Sequence, residues 1–318
     1  MLKERVVGCI QKVLPVAFKT SLWFLKIMLP VSFCVMLLSY FNILPYLSSL
    51  AAPLFTLLGL PGDAALVFVT SIFTNIYTVI ALMSNLDFSI REGIILATMC
   101  LISHNYLVET LVQKKTGSSA IGMVLLRFSC SFVAAIVLNF VLPEMSSGMI
   151  YQPAVVLGLS DTLLNWLQNS LILSLKIICI ISLLMIVQRL LEEFGILKWL
   201  STILGPLVET FGLPKQVAFL WLVGNTLGLA YGSAVLMDYA RQGKLTRRES
   251  DLLNYHLAIS HSQLEDPLLF AVLGLPMLWL IIPRLILAIV VVWLKRFGEI
   301  VYRNMNQYME RRTLESKY

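Results

Sequence analysis

Two stretches of this 318-residue chain could do chemistry: Ser103-His104-Asn105-Tyr106-Leu107-Val108-Glu109 and Ser260-His261-Ser262-Gln263-Leu264-Glu265-Asp266. Each sets an imidazole and a carboxylate a few residues apart inside an apolar segment. An ionisable group at such depth is expensive, which makes it a functional candidate by default. Two chemistries fit. A histidine beside a carboxylate titrates near neutral pH, exchanges protons, and can couple a flux to a proton gradient. Alternatively His104, His261, Glu109, Glu265 and Asp266 could supply a mixed nitrogen and oxygen site for a divalent metal. No HExxH-type spacing occurs, so neither a resident metal nor another cofactor is predicted, and the expected companion is a coupling proton or cation. On a regular helix His261 and Glu265 share a face at i,i+4, whereas His104 and Glu109, five apart, diverge. In the alignment of the two stretches Glu109 matches Asp266.

Other polar residues cluster around these two stretches. Arg127 and Arg284 each stand about eight residues into an apolar helix. An internal ion pair with Glu109 or Asp266 would keep both charges from facing lipid; anion binding is the rival role. Asn75 and Tyr77, and then Asn225, Thr226, Tyr231 and Ser233, interrupt two further apolar runs. An unwound tip offers backbone donors, acceptors and oriented helix dipoles to a substrate. Gly224, Gly228 and Gly232, at i, i+4 and i+8, could instead serve close helix packing. Lys26 and Lys176 stand near helix starts, from which they can snorkel to the interface.

The elements that position these groups must lie in a bilayer. The chain is 58% hydrophobic and 13% charged, with a mean hydropathy of +0.84, against about 25% charged residues in a soluble domain. No polar stretch is long enough to build a core outside the membrane. The formal charge of +6 is spread over the ends and two loops, which excludes the concentrated basic face that nucleic acid requires. Five cysteines, without a CxxC pair, read as packing residues. The first 20 residues lack the apolar core and cleavage site of a signal peptide. Their alternation of Lys3, Arg5 and Lys12 with apolar residues suits a helix on the membrane surface.

The chain is a duplication. A shift of 153 lays Phe41-Asn42-Ile43-Leu44 on Phe194-Gly195-Ile196-Leu197 and Gly59-Leu60-Pro61 on Gly212-Leu213-Pro214, and between 41 and 61 ten of 21 residues are identical. An insertion around Arg241-Gln242-Gly243-Lys244 raises the shift to 157, where Arg91-Glu92 meets Arg248-Glu249, Ser103-His104 meets Ser260-His261, and Arg127 meets Arg284. Matches of Pro, His and Arg are not what two unrelated apolar helices share. The repeats are 1–145 and 146–300, followed by a basic tail at 301–318. Each holds a surface helix (1–17, 153–168), a long apolar helix (20–43, 170–191) and a short segment (46–58, 199–211). An interrupted run (62–86, 215–240) and two further helices (91–113 and 119–142, 248–271 and 275–295) complete it.

The loop charges choose the topology. If the interrupted run crosses the membrane, Lys114-Lys115 faces outside while the 143–165 linker, devoid of Lys and Arg, faces the cytoplasm. If it is a re-entrant hairpin, both termini and Lys114, Lys115, Arg241, Lys244, Arg247 and Arg248 all lie inside, as positive-inside bias favours. The expected fold is an all-α polytopic membrane protein. It has two inverted-topology repeats, each with a surface helix, three spanning helices and a re-entrant hairpin. Irregular backbone at depth is tolerated only against a protein-lined cavity, so the two tips should meet.

With the Gly-Leu-Pro before each interrupted run, the tip GNTLGLAYGSAVLM and the Ser-His-(Asn/Ser)-x-x-x-(Glu/Asp) segments in view, the chain resembles the nucleoside-recognition Gate domain family. Related Gate segments occur in spore-maturation membrane proteins and in the membrane part of FeoB-type ferrous-iron transporters. The organisation is also similar to the core of concentrative nucleoside transporters. The resemblance implies that 74–77, 224–232, 103–109 and 260–266 surround a substrate. The candidate substrate-binding set is therefore Asn75, Tyr77, Ser103, His104, Asn105, Glu109, Asn225, Thr226, Tyr231, Ser233, Ser260, His261, Ser262, Gln263, Glu265 and Asp266. No GTPase P-loop is present, and the halves differ at Asn105/Ser262, Tyr106/Gln263 and Val108/Glu265.

The leading expectation is a non-enzymatic transporter of a small polar solute, nucleoside-like or an organic anion or cation, working by alternating access between the repeats. It would sit in a bacterial cytoplasmic membrane with both termini cytoplasmic. Its expected partners are lipid, the solute, and a second copy or another membrane protein. The alternatives are a non-transporting partner or sensor subunit, a divalent-metal transporter and an intramembrane metalloenzyme.

Overall fold

A computed structural model describes residues 2–41, 43, 49, 52–143, 145, 158–226 and 228–315. In chain order the helices are α1 (Leu2–Tyr40), α2 (Ala64–Phe73), α3 (Ile76–Met83), α4 (Ile90–Ser103), α5 (Tyr106–Lys115), α6 (Ala120–Val141) and α7 (Leu159–Glu193). They continue with α8 (Ile196–Thr210), α9 (Ala218–Thr226), α10 (Gly228–Arg241), α11 (Arg247–Ser260), α12 (Glu265–Phe270) and α13 (Met277–Glu315). The protein is an all-helical polytopic membrane protein. Among the described residues Ala120–Val141, Leu159–Glu193 and Met277–Met309 are long and apolar enough to cross a bilayer. The pair Ile90–Ser103 and Tyr106–Lys115, bent by 43°, adds a fourth if it is one span.

The expected surface helices do not form separate elements. Residues 2–17 and 20–40 fall in one helix, α1, which runs through Pro15 and Pro30. Of the stretch 153–168, the part from Leu159 is continuous with 170–191 in α7, while 153–157 and residues 46–48, 50 and 51 of the first short segment lie outside the described residues. Proline inside an apolar helix removes one backbone bond but is tolerated where neighbours re-satisfy the freed groups. The two long helices pack along each other in opposite directions. Arg5, at the start of α1, pairs with Glu193 at the end of α7 at 3.0 Å. Ser32, near the other end of α1, accepts from Trp166 Nε1, in the first turns of α7, at 3.0 Å. Helix α13 carries on past the last apolar stretch through Glu315, into the basic tail.

Helices α4 and α11 begin in the same way. Ser89 and Thr246 accept from the backbone N–H of Glu92 and Glu249, whose carboxylates return the contact in a capping box. That S/T-x-x-E pattern satisfies two orphan donors at once. From Gly93 to Ser103 every residue of α4 is buried, so this helix is the axis of the core. It packs on α6, and α11 packs on α13. The outer faces of α6, α7 and α13 carry exposed apolar residues such as Ile121, Phe140, Leu175 and Leu294. In a bilayer such surfaces gain little from helix contact, so polar interlocks and close packing must specify the arrangement.

The Gly-Leu-Pro turns show why glycine stands there. Gly59 and Gly212 have φ of 72° and 82°, the left-handed region where a Cβ is penalised. A Cβ at Gly59 would also collide with the Asn139 side chain, and one at Gly212 would meet Val292 Cγ1 at 3.0 Å.

Candidate functional site

The site is built where helices stop. Helix α4 ends at His104, Asn105 turns left-handed at φ 52° and ψ 43°, and α5 starts at Tyr106. Helix α11 ends at His261, Ser262 takes φ 53°, and α12 starts at Glu265. The continuous helices expected over 91–113 and 248–271 are therefore both broken just after the histidine. A non-glycine residue at positive φ costs about 1–3 kcal/mol and persists only where its surroundings hold it. Here the hold is visible. The Asn105 N–H donates to the Ser71 and Thr74 carbonyls at 3.0 and 2.9 Å, at the open end of α2. In the second half Ser262 N–H donates to Gly224 O at 3.0 Å and Leu264 N–H to Asn225 O at 3.1 Å, at the end of α9.

Two fully buried arginines close the broken ends. Arg127 donates through Nε to Ile102 O at 2.7 Å and through Nη2 to His104 O. Arg284 donates through Nε to Ile259 O at 3.0 Å and through Nη2 to His261 O at 2.6 Å. The last carbonyls of a helix lack intrahelical partners and carry its negative pole, so a guanidinium fork answers both needs. Arg127 Nη2 also lies 2.9 Å from Glu109 Oε2. Arg284 departs from the expected ion pair: its bonds go to the two carbonyls, and its Nη1 has no hydrogen-bond partner.

The break changes which groups meet. The i,i+4 face of His261 and Glu265 does not exist, and Glu265 instead accepts from Tyr77 OH at 3.3 Å. Glu109, which a regular helix would turn away from His104, swings back so that its Oε1 lies 3.1 Å from His104 Nε2 and 3.3 Å from His261 Nε2. The two Nε2 atoms are 3.5 Å apart, and Asp266 Oδ2 is 4.0 Å from His104 Nε2. On the far side of each ring Nδ1 faces a carbonyl, Cys100 O at 3.1 Å and Leu257 O at 2.8 Å. A carbonyl only accepts, which assigns the hydrogen to Nδ1 in both rings and leaves Nε2 as a lone pair in the neutral imidazole. All four of these side chains are buried. Their acceptor atoms converge on one point, which is unfavourable without a proton or cation among them. The ligand-capable atoms of His104, His261 and Asp266 all lie within 4.8 Å of one another.

The remaining candidates divide into neighbours and supports. Ser103 accepts from Tyr106 OH at 3.2 Å, and the Tyr106 ring stacks under the Arg127 guanidinium at 4.7 Å. Gln263 is half-buried and its amide atoms lack partners. Asn75 caps α3 by accepting from Thr78 N–H at 3.2 Å, which is a structural role. Asn225 donates to Trp221 O at 2.9 Å and Thr226 to Leu222 O at 2.7 Å. The side chains of Tyr231 and Ser233 lie outside the described residues. His256, whose repeat counterpart is Met99, stands outside the candidate set. Its Nδ1 accepts from Trp221 Nε1 at 3.2 Å and contacts Ser260 Oγ at 2.7 Å; the i,i+4 spacing to Ser260 was the available signal. Asn254, also outside that set, donates to Gln113 O, Thr116 Oγ1 and Ser118 Oγ at 3.3, 2.9 and 2.9 Å and so ties α11 to the end of α5 and the loop after it.

Residues 174–292 match the family described as nucleoside recognition, or Gate. Over 282 residues the chain is 31% identical to a Bacillus subtilis (strain 168) protein named uncharacterized membrane protein YvoD, an alignment covering 87% of this chain and 90% of that protein. No solved structure matches the chain.

Proposed function

The chain belongs to the nucleoside-recognition (Gate) family of membrane proteins, and on that premise we propose that it moves a small polar solute across a bacterial membrane by alternating access. The proposed class is nucleoside-like or an organic ion, with a coupling proton or cation and no catalytic turnover. One observation carries the reading: a charged cluster, buried at the meeting point of broken helices from both halves of the chain. A charged side chain at mid-bilayer costs about 2.5–3.5 kcal/mol on insertion scales. Glu109, Asp266, Arg127 and Arg284 together cost several times that before pairing, and packing alone would be better served by apolar residues.

Two further observations support the inverted repeats at 1–145 and 146–300. Helices α1 and α7, their first long elements, run antiparallel. The bonds of Asn105 and Ser262 to the ends of α2 and α9 recur at the same offsets as the sequence repeat. In this reading the interlocks between α2 and Asn105, and between α9 and Ser262, alternate in opening the cluster to each side. Both termini are assigned to the cytoplasm on loop charge.

The test is flux in proteoliposomes, with the solute first found by thermal shift against nucleosides, small organic anions and divalent metals, since specific binding stabilises the folded state. His261→Ala and Asp266→Asn should insert and fold but lose flux. Normal flux in either variant removes the site assignment. A stable complex with another membrane protein, with no flux for any solute, favours a partner subunit.

A further inference from the structure

We propose that His104 Nε2, His261 Nε2, Glu109 Oε1 and Asp266 Oδ2 form a binding site for one divalent transition-metal ion. The binding stands on geometry; any movement of the ion rests on the transport reading above.

Spacing is the first argument. A four-coordinate ion with bonds of about 2.0–2.1 Å holds its ligand atoms about 3.3–3.4 Å apart. The two Nε2 atoms and Glu109 Oε1 are separated by 3.1, 3.3 and 3.5 Å. Three atoms in van der Waals contact without a hydrogen between them would stand no closer, yet they form one face of a tetrahedron of the right size. Asp266 Oδ2 is 4.0 Å from His104 Nε2 and groups with both imidazoles within 4.8 Å, so by moving inward it supplies the fourth ligand.

Orientation is the second argument. A metal-ligating histidine almost always gives its other N–H to a carbonyl or carboxylate, which fixes the ring and aims the lone pair. Both rings do so, through Cys100 O and Leu257 O, and those carbonyls sit one turn back on the same helices. The arginine that holds the His104 carbonyl also pairs with Glu109 Oε2, leaving Oε1 free to face the imidazoles. Both imidazoles and Glu109 are thus held by a second contact.

Unmet acceptors are the third. Glu109 Oε1 and Asp266 Oδ2 have no hydrogen-bond donor, although Glu109 is fully buried and Asp266 is 7% exposed. A single proton on one imidazole would answer one edge of the cluster and leave the second Nε2 and Asp266 facing other acceptors. Protonating both would set two like charges 3.5 Å apart in a low dielectric. One divalent ion answers all four atoms. Two imidazoles with two carboxylates suit zinc, cobalt, iron or manganese, whereas magnesium and calcium prefer all-oxygen sets.

The experiment uses the full chain, purified in detergent and stripped with chelator, then titrated with Co2+ and Zn2+. One Co2+ per chain should bind and develop the visible d–d bands of a four-coordinate ion; Zn2+ should displace it and Mg2+ should not. His104→Gln and His261→Gln should each weaken binding by at least about tenfold, the scale on which disturbed metal shells respond. His256→Gln should leave the spectrum and stoichiometry unchanged. Size-exclusion profiles of the metal-free variants check folding, and Asp266→Asn supplies a milder third variant. Absence of stoichiometric binding to folded wild-type protein overturns the proposal. So does binding that His104→Gln and His261→Gln leave intact. Binding without flux in proteoliposomes removes transport and keeps the metal site; flux without binding does the reverse.

Discussion

Arg127 and Arg284 stand 157 residues apart and make the same pair of bonds, each through Nε to the carbonyl 25 residues earlier and through Nη2 to the carbonyl 23 residues earlier. Each plugs the C-terminal end of a helix that stops at a histidine. Only Arg127 adds a carboxylate, Glu109. Arg127→Met therefore leaves a buried charge unpaired, a loss of about 3–5 kcal/mol, and thermal unfolding in detergent should register it as severe. Arg284→Met strands two carbonyls, at about 1–3 kcal/mol each. Lysine should rescue neither, since one ammonium cannot reproduce a planar fork.

The left-handed residues make a paired prediction. Asn105→Gly and Ser262→Gly should hold their breaks with stability changed by less than about 1 kcal/mol, because glycine accepts positive φ freely. Asn105→Val and Ser262→Val should each lose about 1–3 kcal/mol from backbone strain. Equal unfolding temperatures across the four variants would contradict the geometry of the breaks.

Asn254 should matter more than its place in the sequence suggests. Its amide meets three acceptors at the end of α5 and in the loop after it, and Ser118 in that loop also donates to Asp251 Oδ1 at 2.7 Å. Asn254→Leu leaves buried partners unmet, each worth about 1–3 kcal/mol. Limited proteolysis should show faster cleavage at 115–119, whereas unaltered protection would mean the tie is dispensable.

By contrast the Arg5–Glu193 pair should be nearly silent. Arg5 is exposed, and such pairs contribute about 0.2–1 kcal/mol. Arg5→Glu alone should shift the unfolding temperature little. Combining it with Glu193→Arg should not recover that small loss, because Glu193 also pairs with Arg189 at 3.2 Å and the exchange turns that pair into a like-charge contact.

A broad class, a set of matched positions and a list of unusual polar groups could be read from the chain alone. Composition required a bilayer, because so few charges cannot solvate a soluble surface. The 153 and 157 offsets paired Gly59 with Gly212, His104 with His261 and Arg127 with Arg284, since rare residue types recur by descent rather than by apolar coincidence. The capping boxes at Ser89 and Thr246 were equally local. Helix continuity was not legible. Proline at 15 and 30 lies inside α1, while the real breaks at Asn105 and Ser262 carry neither proline nor glycine.

Tertiary structure decided those breaks, through the carbonyls of Ser71, Thr74 and Gly224 that take the N–H groups of Asn105 and Ser262. The partners lie about 30–40 positions away, so no local propensity could announce them. That one decision reversed the arithmetic of the site. A regular helix gives His261 to Glu265 and denies Glu109 to His104; the broken ones send Glu265 to Tyr77 and put Glu109 against both histidines. The sequence determined which groups would be buried, and the long-range backbone bonds determined which of them touch.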